Sequence, residues 1–156
     1  MPVRPVTAAE VRPLRSTVLR PGTPPETLVY PGDDARLALH VGGGERPSLD
    51  GIATVYPEPP PEAHRGAIPE DAYETGASFR LRGMATSERE RGTGLGRELL
   101  AACFEHVRQS GGRVLWCNAR SPAVGFYERM GMETVGEEFD MPGIGPHFVM
   151  WREVGT

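Results

Sequence analysis

Residues 88–107 read ERERGTGLGRELLAACFEHV, in which Gly92, Gly94 and Gly96 stand at alternate positions directly before a helical pattern. The first-turn amides of a helix have no intrahelical partner, and the helix dipole favours negative charge beside them. Glycine lets such a backbone come within hydrogen-bonding distance of a phosphate, and Arg91 and Arg97 add positive charge on either side. The anion contacts this implies are Arg91, Gly92, Thr93, Gly94, Leu95, Gly96 and Arg97; an ordinary glycine-rich turn is the competing reading. A dinucleotide fold fits less well. It needs G-x-G-x-x-G near the first strand and an acidic residue about 20 positions on. Here the third glycine comes one residue early, the motif lies past the middle of the chain, and residues 116–118 are not acidic.

The stretch RGTGLG at 91–96 resembles the R/Q-x-x-G-x-G/A motif of the GNAT superfamily of N-acetyltransferases, with Arg91, Gly94 and Gly96 at its fixed positions. A second stretch, NARSPAVGFYERMGM at 118–132, is similar to that family's following strand and helix, N-x(4)-A-x-x-F-Y-x-x-x-G-F, through Asn118, Ala123, Phe126, Tyr127 and Gly131. The resemblance covers about residues 79–152, in the family's order. Glu88 stands where the family often has proline, and Met132 where it has phenylalanine; neither change touches chemistry. The first half matches only as a helix-and-strands pattern. The tail EEFDMPGIGPHFVMWRE is similar to the ElaA-like bacterial subgroup, which ends in a G-I-x-H-x-x-M type strand, with one residue inserted before His147.

The resemblance implies acetyl-CoA as acyl donor, with its pyrophosphate on the amides of residues 92–97. The pantetheine arm would lie along Met84, Ala85 and Thr86 like an added strand. A backbone N–H there would face the thioester carbonyl, an interaction worth about 3 kcal/mol per donor in a transition state. Tyr127 is implied as the acid for the departing thiolate, since a phenol of unperturbed pKa about 10 is protonated at neutral pH; core packing with a tethered hydroxyl is its alternative. Asn118 would bond the pantetheine or cap a turn, and Phe126 would pack, in part against the coenzyme. The acceptor, a primary amine on a small molecule or peptide, must lose a proton, and His147, Glu137 and Glu138 are the candidate bases. A lone histidine near a chain end is also commonly structural. Transfer would be direct, without an acyl-enzyme and without a metal. The rival reading is a non-catalytic CoA- or acyl-CoA-binding regulatory module of the same fold. Homodimers are common in the superfamily, and exposed terminal strands suit pairing.

These residues need a frame, and 156 residues with 38% hydrophobic and 24% charged content suit one domain spanning residues 1–156. A formal charge of -4 argues against a nucleic-acid or anionic-membrane partner. All 17 basic residues are arginine, which excludes a Walker-type loop and a Schiff-base lysine. Cys103 and Cys117 fall within helical and strand patterns, as buried free thiols of a reducing compartment would. Neither a leader nor a membrane-length apolar run stands in the sequence, so a cytoplasmic location is expected.

Thr7 and Glu10 form a capping box before a helix carrying Val11, Leu14, Val18 and Leu19, which Pro13 should kink or delay. Strands are expected at 36–41 and 49–55, joined through the glycines 42–44, and again at 78–86. The helix after the glycine loop places Leu95, Leu99, Cys103 and Val107 on one face and ends at glycines 111 and 112. A strand at 113–118 precedes a helix with Ser121 as N-cap and Pro122 in its first turn, closed by Gly131. Residues 132–139 and 147–153 close the chain as a hairpin. Counting these runs gives an α/β or α+β sheet of about six strands. The family resemblance implies a mixed, mostly antiparallel sheet of about six to seven, flanked by helices. Asp33, Asp34, Glu58, Glu62, Glu70, Asp71 and Glu74 crowd two irregular segments, where they would attract a cationic acceptor or simply aid solubility.

Overall fold

The computed structural model describes residues 3–44 and 48–155. Its elements are β1 (Val3–Pro5), α1 (Ala8–Leu14), β2 (Leu39–Gly43), β3 (Gly51–Pro57), β4 (Ser78–Thr86), α2 (Leu95–Gln109), β5 (Val114–Arg120), α3 (Val124–Arg129), β6 (Glu133–Met141) and β7 (Gly145–Glu153). Two compact units form, Met1–Tyr56 with Leu81–His106, and Pro57–Arg80 with Val107–Thr156. Strand order is β1-β2-β3-β4 in the first and β4-β5-β7-β6 in the second, β4 giving residues to both. This is the mixed, mostly antiparallel sheet expected; β4 and β5 are its parallel pair. Their register covers three pairs, Ser78↔Val114, Phe79↔Leu115 and Arg80↔Trp116, and β4 continues to Thr86 beyond the last of them.

In the first unit the capping box forms as read: the Glu10 amide donates to Thr7 Oγ1 at 3.2 Å and the Thr7 amide to Glu10 Oε1 at 2.9 Å. The helix passes through Pro13 and widens into a π turn over Arg15–Leu19, where Thr17 Oγ1 donates to the Pro13 carbonyl at 3.1 Å. Val11 packs with Leu49, Ile52 and Ala85, and Val6, Leu14, Val18 and Leu19 close over that cluster. The glycines at 42–44 do not form the turn expected of them. Gly42 and Gly43 lie inside β2, paired with Ile52 and Gly51. The reason is tertiary: a Cβ on Gly43 would come within 2.5 Å of Leu95 Cδ1, and one on Gly51 within 2.7 Å of Leu95 Cδ2. The bare backbone seats the first leucine of α2.

Arg15 lies one turn after Val11 on the inward face and is fully buried. Its guanidinium meets Asp33 through two bonds, Nη1 to Oδ2 at 2.9 Å and Nη2 to Oδ1 at 2.8 Å, and donates further to Thr54 Oγ1 and the Leu28 carbonyl. His40 Nε2 donates to the Asp33 carbonyl at 2.9 Å, so in the neutral ring Nδ1 accepts from the Thr54 hydroxyl at 2.8 Å. Asp33 is therefore no surface attractant for a cation; it neutralises a buried guanidinium and pins the 20–35 segment to β2 and β3. Burial pushes its carboxyl up, but hydrogen bonds from Arg15 and the Tyr30 amide, with the nearby positive charge, outweigh that and hold it below its ordinary 3.8.

In the second unit the proline-rich 57–78 segment is anchored rather than loose. Trp116 Nε1 donates to the Glu58 carbonyl at 2.9 Å, Tyr73 Oη to the Pro61 carbonyl at 2.9 Å and Ser78 Oγ to the Ala72 carbonyl at 2.6 Å. Ile68 and Ala72 pack on Val114 beneath Tyr73, Val135 and Trp151. Among the described residues four of its five acids pair with arginines, Glu74 being the exception: Arg65 pairs with Glu62 and Glu70, Arg80 with Glu58, Arg113 with Asp71. The acidic lure for a cationic acceptor thus loses most of its charge. Ser121 is not the N-cap expected of it, because its hydroxyl donates to Glu138 Oε2 at 2.7 Å and the turn Ser121–Ala123 starts without a side-chain cap. Gly111, at φ 81°, closes α2 as foreseen, with the Gly112 amide reaching back to the Val107 carbonyl at 2.9 Å.

Asp33→Asn strands the Arg15 guanidinium in the core, and urea unfolding at neutral pH should show a loss of about 3–5 kcal/mol. A loss of about 1 kcal/mol or less, as for a surface pair, contradicts the role given to it. The folded carboxyl titrates below its unfolded value of 3.8. Its contribution is therefore complete above that value, and the wild-type advantage should vanish as the pH falls through the lower folded value.

Candidate active site

In the first unit β4 leads through a short turn, Glu88–Glu90, into the glycine loop and α2. Asp50, just before β3, organises this approach. Its carbonyl accepts from the Ser87 amide at 2.7 Å, and its Oδ1 accepts from Arg89 Nη2 at 2.7 Å and Nε at 3.0 Å. Sequence reasoning missed Asp50; the only local signal was the Asp-Gly pair at 50–51.

Gly92 and Gly94 have φ of 83° and 92°, and a Cβ on either would meet no atom within 4 Å. Glycine is needed there for backbone conformation, and the space before it is open. The Thr93 amide turns back to the Glu90 carbonyl at 3.3 Å, while the first bond into α2 is from the Glu98 amide to the Gly94 carbonyl at 3.1 Å. Among the described residues the amides of Gly92, Gly94, Leu95, Gly96 and Arg97 carry no backbone hydrogen bond. Residues 91–94 are exposed, Leu95 is buried, and Arg91 and Arg97 have no acidic partner among the described residues. This is a row of free donors of the kind that binds an oxyanion. Upstream on β4, Met84 and Thr86 are half-buried, and the Ala85 methyl belongs to the Val11 cluster, leaving its backbone as the part able to meet a ligand. Residues 84–86 and 91–97 thus fall in one unit.

The second unit holds the other candidates. Tyr127 lies on α3, 8% exposed, edge-on to the half-buried Phe126 with ring centroids 5.1 Å apart. Its carbonyl accepts from the Met130 and Met132 amides, both at 3.0 Å, and Gly131 at φ 87° makes that reversal. Asn118 is half-buried on β5, opposite Val149 of β7. His147 is buried on β7 opposite Arg120; its Nδ1 donates to the Gly145 carbonyl at 2.8 Å and its ring stacks on Phe139. With the proton on Nδ1, the neutral ring keeps its lone pair on Nε2. Glu137 is exposed, while Glu138 is held by Ser121. Burial pushes both thiols up to about 12, Arg80 opposing it slightly at Cys117. Among the described residues no three His, Cys, Asp or Glu side chains gather as a metal site.

Residues 66–152 match the acetyltransferase (GNAT) domain. Over 154 residues the chain is 32% identical to a Bacillus subtilis (strain 168) protein named as the uncharacterized N-acetyltransferase YitI, covering 99% of this chain and 97% of that one. Among solved structures, Escherichia coli ElaA superposes with a TM-score of 0.68 at 20% identity, covering 92% of this chain and 88% of that one; the likeness is one of fold. An aminoglycoside 6'-N-acetyltransferase complexed with coenzyme A superposes with a TM-score of 0.67 at 14% identity, over 100% of this chain and 98% of that one.

Alanine at Gly92 or Gly94 meets no atom but must hold a left-handed φ, so each substitution should cost about 1–2 kcal/mol in thermal unfolding without disturbing the core. No measurable cost contradicts the loop geometry. Cys103 and Cys117 should resist a disulfide-exchange reagent in the native protein at mildly alkaline pH and react fully in guanidinium; rapid native labelling contradicts their burial.

Proposed function

As the chain belongs to the GNAT family of N-acetyltransferases, we propose that it transfers the acetyl group of acetyl-CoA directly to a primary amine. The observation that carries this is the row of unbonded amides at Gly92 and at residues 94–97, fronted by two left-handed glycines with open space before them. Those donors fit a diphosphate, and a solved neighbour of the same fold is a coenzyme A complex. Acetyl-CoA supplies the activated acyl group; the chain's own residues hold and orient it. The amides of Gly92 and residues 94–97 bind the diphosphate, Thr93 being engaged by the Glu90 carbonyl; Arg91 and Arg97 screen its charge, and the backbone of Met84, Ala85 and Thr86 aligns the pantetheine.

In this reading the amine attacks the thioester carbon, forming the C–N bond as the C–S bond breaks. Tyr127 gives its phenolic proton to the leaving sulfur, and His147 Nε2 takes the proton that the amine loses. The Nδ1 bond to Gly145 keeps that tautomer in place. Asn118 and Phe126 line the pantetheine arm. Neither thiol serves as a nucleophile, because both are buried and pushed up to about 12. The chain acts as one acetyltransferase domain. Among the described residues no helix is long and apolar enough to cross a membrane, and unpaired thiols suit a cytoplasmic setting. If the protein dimerises, β6 is a poor edge for it: Glu133, Glu137, Glu138 and Asp140 would face like charges, and the strand is bulged between Val135 and Phe139.

The burial of Tyr127 favours a second reading, a module that binds coenzyme A without turnover. Release of free thiol from acetyl-CoA across an amine panel separates the two. The enzyme reading expects turnover, with Tyr127→Phe lowering kcat about 10²-fold or more while the KM for acetyl-CoA holds. A Tyr127→Phe enzyme of normal kcat removes the tyrosine from the chemistry. A coenzyme-stabilised protein that releases no thiol with any amine supports the module.

A further inference from the structure

A second group of residues, all in the first unit, lies outside the glycine-loop donors. Tyr30, on the 20–35 segment, carries two guanidiniums over its ring: Arg15 Cζ is 3.8 Å from the centroid and Arg82 Cζ, on β4, is 4.1 Å away. The ring lies against Gly83, which has a left-handed φ of 68° and no room beside it for a side chain. A Cβ there would come within 2.8 Å of Tyr30 Cε2, 3.0 Å of Tyr30 Oη and 3.3 Å of Arg15 Nε. Gly32 serves Tyr56 in the same way, since a Cβ there would sit 2.1 Å from that ring.

The charges here do not balance. Asp33 is the carboxylate of the group, already engaged by Arg15 and the Tyr30 amide, with Arg12 Nη2 at 4.0 Å. Arg82 is half-buried and has no carboxylate partner among the described residues. The hydrogen bonds do not balance either. Arg12 Nε, Arg15 Nε and Tyr56 Oη are buried without a partner, and Tyr56 is 2% exposed. The Tyr30 hydroxyl makes no hydrogen bond among the described residues. Each of these groups can donate, and none of them is a carboxylate. Partly buried donors and an uncompensated cation are costly unless something brings acceptors and negative charge to them. A guanidinium held flat on an aromatic ring presents its edge, and the planar fork of N–H groups there matches a carboxylate.

We propose that Arg82 and Tyr30 form a subsite for a carboxylate on the acceptor, so that the amine acetylated is one that also bears a carboxylate, as an amino acid does. This rests on the acetyl-transfer reading, and it reverses the expectation of a cationic acceptor. The placement along the strand suits it. Met84 and Ala85, assigned to the pantetheine, follow Arg82 by two and three residues, about 7–10 Å along a strand. A carboxylate at Arg82 would therefore be held on the same strand as the segment assigned to the thioester arm. Val29, next to Tyr30 in sequence, is the exposed large hydrophobic side chain among the described residues and is open to an apolar contact.

Calorimetric titration of the protein with a panel of N-acetyl-L-amino acids and their carboxamides tests the subsite without requiring turnover. At least one acid should bind tenfold or more tightly than its own carboxamide. Arg82→Gln should erase that difference while carboxamide binding holds, Arg82→Lys should restore part of it, and the unliganded melting temperature of each variant reports that it folds. Acids that bind no better than their carboxamides across the panel overturn the proposal. So does a preference that survives Arg82→Gln, or one that chloride or inorganic phosphate abolishes at equal concentration. Thiol release with the matching free amines keeps the two claims apart: carboxylate-selective binding without turnover removes the enzyme reading alone, and turnover indifferent to the carboxylate removes the subsite alone.

Discussion

The start of α2 is the constraint from which the rest follows. Leu95 is buried against two glycines of neighbouring strands, Gly43 and Gly51, where no larger residue fits. That contact fixes the position and direction of the helix mouth. The two residues that deliver the chain to it, Gly92 and Gly94, take left-handed conformations and remain exposed. The amides of Gly92, Gly94, Leu95, Gly96 and Arg97 are left without a backbone partner among the described residues. Water satisfies them when the site is free, and an oxyanion can replace that water at little reorganisation cost. A packing contact in the core thus sets up an electrostatic site at the surface.

The second fixed point is the Arg15–Asp33 pair. A buried ion pair adds little net stability compared with an apolar replacement, but losing one partner is severe. Its use here is one of position. The same carboxylate that answers Arg15 also accepts the Tyr30 amide, and the backbone carbonyl of Asp33 accepts from His40. An otherwise irregular segment is thereby held to α1, β2 and β3, and Tyr30 is set on β4 beside Gly83. Both features draw on the same economy of side chains: glycines in strands admit a leucine in one place and a tyrosine in the other.

Sequence periodicity identified α1, β4, α2 and the closing hairpin because each is written in neighbouring residues: a capping box, an alternating run, leucines four apart, paired strands near the chain end. The glycine loop was legible for the same reason, since three glycines before a helix have a local meaning. Tyr127 stands out in the sequence only through the family pattern around it, and its role remains a proposal. What stayed hidden depends on distant partners. The glycines at 42–44 read as a turn, yet two of them are strand residues required by Leu95. Ser121 reads as an N-cap, yet its hydroxyl is taken by Glu138 on another strand. The acids at 33 and 71 read as open charge, yet Arg15 and Arg113 answer them across the fold. Nothing local announced β1, three residues ending in proline, or the stacking of Arg15 and Arg82 on Tyr30.

The central claim is that bare backbone amides at the mouth of α2 hold the donor's diphosphate. Amide-resolved NMR of the labelled protein during titration with coenzyme A tests this most directly. The account predicts that the resonances of Gly92, Gly94, Leu95, Gly96 and Arg97 move together to saturation with one dissociation constant, and that added salt weakens this binding. Coenzyme A that binds while those five amides stay unmoved would contradict it.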